Sequence, residues 1–261
     1  WSDLDARLLQ WLVAVVDDLR RVHPLARLLV QFAAAALFML LPGDMLAGNL
    51  PVWLTWLGVV VVVWGINLYN FMDGMDGFAA AMAVIGFSTL GIMGLWGGQP
   101  AFFAICGLLA AANGGFLCLN YPPAKLFMGD SGSTVLGFAM ASLGIAGWQQ
   151  GLYPLWIPLV IFSPFWVDAS LTLLKRLLRG EAVWRAHREH WYQRWVLAGY
   201  SHRQVTGAYC LLMLACSGTV LAWQGVAHGY NEMALPAIWI VLYGVGGVVT
   251  EVLLRRLRKM D

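Results

Sequence analysis

The chain contains 261 residues, of which 60% are hydrophobic and only 11% carry a charge. Soluble domains of this size usually carry about twice that charged fraction. The composition therefore excludes an ordinary soluble enzyme and favours a polytopic membrane protein, which we interpret as one integral membrane domain over residues 1–261.

Apolar runs recur at nearly regular intervals and predict an all-α bundle of about nine transmembrane segments. The runs cover residues 4–16, 25–41, 51–66, 78–96, 101–119, 132–148, 154–174, 205–224 and 235–254. A helix over residues 4–16 rises only about 20 Å, whereas the hydrocarbon core of a bilayer is about 30 Å thick. We therefore expect the chain to be trimmed at its N-terminus.

The basic residues fix an orientation for these segments. If the break after Val16 is placed in the cytoplasm and the following breaks alternate, all of the 16 Lys and Arg residues except Arg7 fall in cytoplasmic breaks. Such a bias is typical of the cytoplasmic loops of membrane proteins. The same face receives four polar clusters, so we expect them to assemble one site there. The clusters are "DDLRR" (17–21), "NLYNFMDGMDG" (67–77), "NYPPAKLFMGDSGS" (120–133) and "RGEAVWRAHREHWYQR" (179–194).

Five carboxylates lie at predicted helix ends on this face. They are Asp17, Asp18, Asp73, Asp76 and Asp130. Acids gathered in one place repel each other unless a cation joins them, and a hard, oxygen-lined site for Mg²⁺ or Mn²⁺ satisfies that requirement. The alternative is that each acid caps a helix or pairs with an arginine, which suits a single aspartate better than five.

The segment 67–77 cannot be one straight helix if its polar residues are to converge. They step by three, which spreads them around half of a helix. Gly74 and Gly77 allow the backbone to leave the helix, and glycine also lets backbone N–H groups approach a phosphate. The alternative is a plain helix break with the amides hydrogen-bonded inside the bundle.

The two later clusters suit anionic ligands. In "FMGDSGS" a serine after Asp130 can cap the next helix, whose N-terminus favours an anion. Phe127 either stacks on a base or packs in the core, and Lys125 either pairs with a phosphate or only marks the basic loop. "HREH" supplies two histidines, too few for a metal site, beside Arg188. A pyrophosphate is its expected partner, with anionic lipid headgroups as the alternative.

Asp168 lies inside an apolar run, about two turns before Lys175. A carboxylate within a membrane segment indicates a functional role by default. The alternative is that its side chain extends towards the basic residue.

The four clusters, in this order, resemble the signatures of the polyprenyl-phosphate N-acetylhexosamine-1-phosphate transferases. The similarity spans residues 17 to about 204, and "HREHWYQR" looks most like the O-antigen branch of that superfamily. Family members carry further transmembrane helices before the "DD" signature, so we expect this chain to be truncated relative to them.

The resemblance implies a reaction at the cytoplasmic face of the bacterial inner membrane. A UDP-N-acetylhexosamine would donate sugar-1-phosphate to undecaprenyl phosphate and release UMP, with Mg²⁺ required and Mn²⁺ as an alternative ion. This step would initiate an O-antigen-type polysaccharide. Membrane lipid would surround the protein, a homodimer is left open, and no nucleic-acid partner is expected. The competing interpretation is a membrane transporter, although transporters place their polar groups near the bilayer midplane.

The resemblance also assigns residues to roles. Asn70 and Asp130 would ligate Mg²⁺. The catalytic residues would be Asp17, Asp18, His187 and His190, with Asp17 as the base towards the lipid phosphate. The substrate-binding residues would be Asn67, Asp73, Asp76, Lys125, Phe127 and Arg188. Within this set, Asp76 and Phe127 would contact the uracil.

Overall fold

The computed structural model describes residues 23–40, 50–182, 187–226 and 233–257, which form ten helices and no strand. The helices are α1 (Pro24–Leu40), α2 (Val52–Phe71), α3 (Phe78–Trp96), α4 (Pro100–Asn120), α5 (Gly129–Gln149), α6 (Trp156–Ile161), α7 (Ser163–Leu178), α8 (Trp191–Leu197), α9 (His202–Val226) and α10 (Ala234–Leu257). The predicted all-α architecture is therefore confirmed for these ranges.

Five of the helices are long and apolar enough to cross a membrane. They cover Val52–Phe71, Phe78–Trp96, Pro100–Asn120, His202–Gly225 and Ala234–Arg256, and α1 contains a shorter apolar stretch, Leu25–Leu40. A multi-pass membrane protein is thereby supported. The count of about nine segments stays a prediction, since the run at 4–16 lies outside the described residues.

The run at 154–174 differs from the expectation of one continuous span. α6 ends at Ile161, and α7 begins two residues later at Ser163. Pro164 lies in the first turn of α7, where its missing N–H costs nothing. The proline therefore starts a new helix instead of continuing the first one.

Small residues allow the central helices to approach closely. A Cβ atom on Gly137 of α5 would lie 2.7 Å from the carbonyl oxygen of Gly65 in α2. Only glycine fits at such a contact, and small residues serve this purpose widely between membrane helices. The contact fixes α5, which carries Asp130 in its first turn, against α2, which carries Asn70 in its last turn.

An aromatic cluster lies beside the turn between α2 and α3. The ring of Phe78, the first residue of α3, has its centroid 4.9 Å from those of Phe165, Tyr192 and Tyr209. These rings belong to α7, α8 and α9. The start of α3 is thus fixed to three later helices.

Several helix ends converge on one end of the bundle, which we call the polar end. Asn70, in the last turn of α2, bonds Asp130 at the start of α5. Thr206, near the start of α9, bonds the backbone of the turn after α2, and Arg194 of α8 bonds Glu251 near the end of α10. Polar segments that are far apart in sequence therefore meet there.

Candidate active site

A pocket of about 410 Å³ opens at the polar end, between the turn after α2 and the start of α5. We call it the acidic pocket. Its lining consists of Asn70, Asp73, Gly74, Met75, Asp76, Asn120, Phe127, Met128, Gly129, Asp130 and His202. Five predicted site residues, from two segments of the chain, therefore share one cavity.

The turn after α2 is shaped by its glycine and fixed by later helices. Gly77 has φ 72°, a left-handed conformation that favours glycine and redirects the chain into α3. The amide side chain of Asn120 accepts a hydrogen bond from the Gly77 N–H at 2.9 Å. The Asp76 carboxylate accepts one from the Ala124 N–H at 3.1 Å and lies 3.3 Å from His202 Nδ1. Asp76 is thereby held between the 121–125 turn and α9.

Asp130 is engaged through both carboxylate oxygens. Asn70 Nδ2 donates to Oδ1 at 2.9 Å, and an Arg27 guanidinium nitrogen lies 2.8 Å from Oδ2. Asn70 Nδ2 also lies 2.9 Å from the Ser133 hydroxyl. The first turn of α5 therefore joins α1 and α2 through one carboxylate.

Asp73 carries the strongest electrostatic perturbation in the acidic pocket. Burial, and secondarily the negative charge of Asp130, raise its pKa from 3.8 to about 7. Within the described part of the chain, no side chain donates a hydrogen bond to its carboxyl group. The pocket thus holds more negative charge than its surroundings compensate, which is the condition that a bound cation relieves.

The donors in the acidic pocket are of the type that Mg²⁺ prefers. The Asn70 amide and the Asp73, Asp76 and Asp130 carboxyl groups all offer oxygen. No group of three His, Cys, Asp or Glu side chains forms a ready cation cage among the described residues. Mg²⁺ usually takes only one or two protein carboxylates and completes its shell with water and substrate phosphate. The residues therefore fit an ion that binds together with a phosphorylated ligand.

Three predicted substrate-binding residues, Asn67, Lys125 and Arg188, do not line the acidic pocket. Asn67 Nδ2 donates to Gln31 Oε1 at 2.7 Å and to the Val63 carbonyl at 2.8 Å, so that Asn67 joins α2 to α1. Lys125 is exposed on the turn after α4. Asp17 and Asp18 lie outside the described residues, and their predicted roles stay predictions.

The "HREH" segment lies beside the acidic pocket and does not line it. His190 is buried, and its Nδ1 lies 3.5 Å from Asp168 Oδ1. Burial, then the neighbouring His190 and Arg176, lower the pKa of His187 to about 4, so His187 is neutral at neutral pH. Arg188 lines a different cavity. The roles predicted for these residues are not tested by this arrangement.

Tyr192 connects the "HREH" segment to the acidic pocket. Its hydroxyl donates to the Phe71 carbonyl at 3.1 Å, where α2 ends. A Cβ atom on Gly74 would collide with that hydroxyl group. Glycine at position 74 is therefore required for α8 to approach the turn after α2 closely. The sequence suggested a different reason for this glycine, namely contact with a phosphate.

Asp168 has a structural role that the sequence left open. Its side chain is 1% exposed, and its oxygens accept hydrogen bonds from the Trp191 N–H at 2.8 Å, the Tyr192 N–H at 3.2 Å and the Tyr209 hydroxyl at 3.0 Å. The first N–H groups of a helix have no partner within it. Asp168 supplies that partner for α8 and does not extend to Lys175, which bonds Glu251 at 2.9 Å instead.

Sequence reasoning missed three residues of this site. His202 and Asn120 line the acidic pocket, and Arg27 pairs with Asp130. In the sequence, Arg27 contributes only to the basic bias of one face. His202 stands just before the apolar run at 205–224, on the face predicted to carry the site, which was a usable signal.

Taken together, the fold and the pocket define a helical membrane protein with an oxygen-lined, acidic cavity where its polar loops meet. Residues 4–148, more than half of the chain, match the sequence model of glycosyl transferase family 4, and the chain belongs to that family. The resemblance to polyprenyl-phosphate hexosamine-1-phosphate transferases is thereby confirmed.

Curated relatives carry related names. The chain is 34% identical over 154 residues to the "Probable undecaprenyl-phosphate N-acetylglucosaminyl 1-phosphate transferase" of Bacillus subtilis, covering 58% of this chain and 43% of that protein. It is 32% identical over 214 residues to the "Decaprenyl-phosphate N-acetylglucosaminephosphotransferase" of Mycobacterium tuberculosis, covering 73% and 52%. It is 29% identical over 165 residues to the "Phospho-N-acetylmuramoyl-pentapeptide-transferase" of Listeria welshimeri, covering 60% and 49%. The chain spans about half the length of these relatives.

Proposed function

We propose that the protein transfers an N-acetylhexosamine-1-phosphate from a UDP-sugar to undecaprenyl phosphate and releases UMP. The observation that carries this proposal is the contact between Asn70 and Asp130, 60 positions apart, in a pocket that also holds Asp73 and Asp76. The names of the relatives support the reaction class, because each describes transfer of a phosphorylated sugar.

The chemistry brings two anionic reactants together. An oxygen of the lipid phosphate attacks the β-phosphorus of the UDP-sugar, and the bond from that phosphorus to the oxygen of UMP breaks. Repulsion between the reactants opposes their approach, so positioning and compensation of charge supply most of the catalysis. Mg²⁺ held by Asn70 and Asp130, or Mn²⁺ in its place, would neutralise part of the phosphate charge.

The chain's own residues suit the remaining tasks. Arg27, paired with Asp130, places a positive charge beside the acidic pocket. Phe127 lines the pocket and is 73% exposed, so the face of its ring is available to stack on a uracil. Asp76 is held rigidly by Ala124 and His202 and offers an acceptor for the same base. We assign the proton-accepting role to Asp17, with Asp18 positioning phosphate.

We further propose that this step initiates an O-antigen-type polysaccharide, with the acidic pocket facing the cytoplasm at the bacterial inner membrane. The positive bias of the breaks at the polar end supports that orientation. An N-acetylated hexosamine is the proposed sugar, in keeping with the names of the relatives.

The decisive experiment supplies undecaprenyl phosphate and a panel of UDP-N-acetylhexosamines to membranes that contain the full-length gene product, and measures UMP. Asp130→Asn should lower the rate by about 10²–10³-fold, the usual loss when a charge-stabilising group is removed. Wild-type turnover by this variant at ordinary Mg²⁺ would remove Asp130 from the site. Net solute flux without UMP release would instead favour a transporter.

A matched pair of variants tests the nucleotide contact. Phe127→Ala should raise the KM for the UDP-sugar, because the stacking surface is lost. Leu126→Ala changes an exposed neighbour that does not line the acidic pocket, and its KM should equal that of the wild type. Equal KM values for the two variants would contradict the assignment of Phe127.

A further inference from the structure

A second cavity, of about 870 Å³, lies at the polar end between the end of α7, α8 and the end of α10. We call it the cationic cleft. Its charged lining consists of Lys175, Arg179, Arg188, Arg194 and Arg255, with Glu189 and Glu251. It shares no lining residue with the acidic pocket. Positive charge is therefore concentrated at a separate place.

Three carboxylates compensate only part of this charge. Glu181, which is not in the lining, lies 2.9 Å from Arg179. Glu251 bonds Lys175 at 2.9 Å and Arg194 at 2.6 Å. Glu189 pairs with Arg179, and also with Arg176 outside the cleft lining. Arg188 and Arg255 have no salt-bridge partner among the described residues. Their guanidinium groups remain available to a ligand that carries an anionic phosphate.

The cationic cleft continues into an apolar groove of about 400 Å³ along α10. Its apolar part is lined by one face of that helix, at Tyr243, Gly244, Gly247, Val248 and Val252, and by Leu171 of α7. At the junction with the cleft it shares Lys175, Trp191, Glu251 and Arg255. A Cβ atom on Gly244 would meet nothing within 4 Å, which shows that the groove is open there. Since Ala234–Arg256 is a candidate membrane span, the groove runs along a surface suited to an acyl chain.

Trp191 lines both the cationic cleft and the apolar groove. Tryptophan is enriched where a membrane protein passes from hydrocarbon to water. The cavity therefore has the profile of an amphiphile, with a basic mouth, an aromatic residue at the boundary and an apolar extension.

We propose that the cationic cleft and the apolar groove together bind a bilayer phospholipid with an anionic headgroup. Basic pockets between membrane helices recognise such headgroups, and the groove accommodates an acyl chain. The acceptor lipid of the proposed reaction is a poorer occupant, because its phosphate has to reach the acidic pocket, which has no lining residue in common with the cleft.

The test uses the full chain, purified in mild detergent and reconstituted in nanodiscs that contain phosphatidylcholine and phosphatidylglycerol. Native mass spectrometry then measures how much of each lipid remains bound, with no UDP-sugar present, so the result does not depend on the proposed function. The wild type should retain phosphatidylglycerol selectively. Arg255→Gln should weaken its retention about fivefold, the effect of one basic residue near a membrane surface.

Arg256→Gln is the matched control, because Arg256 is exposed beside Arg255 and does not line the cleft. It should retain phosphatidylglycerol like the wild type. Equal losses in the two variants would show only general attraction to the membrane surface and would overturn the proposal. So would full retention by Arg255→Gln.

A second pair of variants tests the groove without changing any charge. Gly244→Leu should fill the groove and reduce phosphatidylglycerol retention, whereas Gly218→Leu, at an open position of α9 outside the groove, should not. Retention that is insensitive to Gly244→Leu would refute acyl-chain binding there. Displacement of phosphatidylglycerol by an equimolar prenyl phosphate would assign the cavity to the acceptor lipid. Displacement by inorganic phosphate alone would show that no lipid is required. Either result would overturn the proposal.

Discussion

Replacing Asp73 by asparagine should stabilise the protein at alkaline pH. Burial and the charge of Asp130 raise the pKa of Asp73 from 3.8 to about 7, so the folded state resists ionisation of this carboxyl group. Asparagine has nearly the same shape and carries no charge. Because no described side chain donates a hydrogen bond to the Asp73 carboxyl, the substitution costs little contact energy.

The sign and size of the stability difference between Asp73→Asn and the wild type follow from proton linkage. Below pH 3.8 the carboxyl is protonated in both states, so the two proteins should be equally stable. Between 3.8 and 7 the unfolded chain releases its proton while the folded state keeps it, and each pH unit lowers the wild-type free energy of unfolding by about 1.4 kcal/mol. Above pH 7 the difference reaches at most about 4 kcal/mol, which corresponds to a higher Tm by roughly 5–15 °C for a chain of this size.

The assay is thermal unfolding of both proteins in one detergent, in EDTA, from pH 4 to pH 8. The depressed pKa of His187 reduces stability in acid, but it does so equally in both proteins and cancels in their difference. Asp76→Asn is the control in the same turn. It weakens a carboxylate that accepts a hydrogen bond from the Ala124 N–H and lies 3.3 Å from His202 Nδ1, so it should lower the Tm. If Asp73→Asn is no more stable than the wild type at pH 8, or if the gap persists at pH 4, the electrostatic reasoning is wrong.

Three further experiments probe the same region. Excess Mg²⁺ in place of EDTA at pH 8 should raise the wild-type Tm more than that of Asp73→Asn, since the cation relieves a repulsion that the variant lacks. Equal shifts in the two proteins would argue against an ion at this place. Gly74→Ala should lower the free energy of unfolding by about 1–3 kcal/mol, because the added methyl group collides with the Tyr192 hydroxyl. Adding Tyr192→Phe to that variant should restore part of its Tm. Absence of this rescue would contradict the collision. Asp168→Asn should lower the free energy of unfolding by about 1–3 kcal/mol, because it weakens the acceptor for two backbone N–H groups. Limited proteolysis should then cut residues 187–194 faster than in the wild type. An unchanged digestion rate would count against the anchoring role of Asp168.

Two helices whose ends are marked by proline or glycine were predicted closely from the sequence. The run at 78–96 coincides with α3, which follows Gly77 and stops before Gly97, and the run at 101–119 lies within Pro100–Asn120. The break inside 154–174 was not predicted, because hydropathy is continuous across it and only Pro164 marks the start of α7. Hydropathy reports burial and does not report where one helix stops and the next begins.

The acidic pocket was predictable in composition but not in detail. Asn67 and Asn70 look equivalent in the sequence, yet a step of three residues turns them to different neighbours. Asn67 bonds Gln31 of α1, whereas Asn70 bonds Asp130 of α5. Which amide joins the pocket depends on the position of α1 and α5 around α2, which is a property of packing that no local pattern contains.

α8 forms a boundary between the acidic pocket and the cationic cleft, and two consecutive residues at its start serve opposite sides. Trp191 lines the cleft, while Tyr192 bonds the end of α2 beside the pocket. The backbone N–H groups of both residues are held by the two oxygens of Asp168. A single buried carboxylate in α7 therefore fixes the orientation of both surfaces. This arrangement explains why an acidic residue lies within an apolar run without itself lining the acidic pocket.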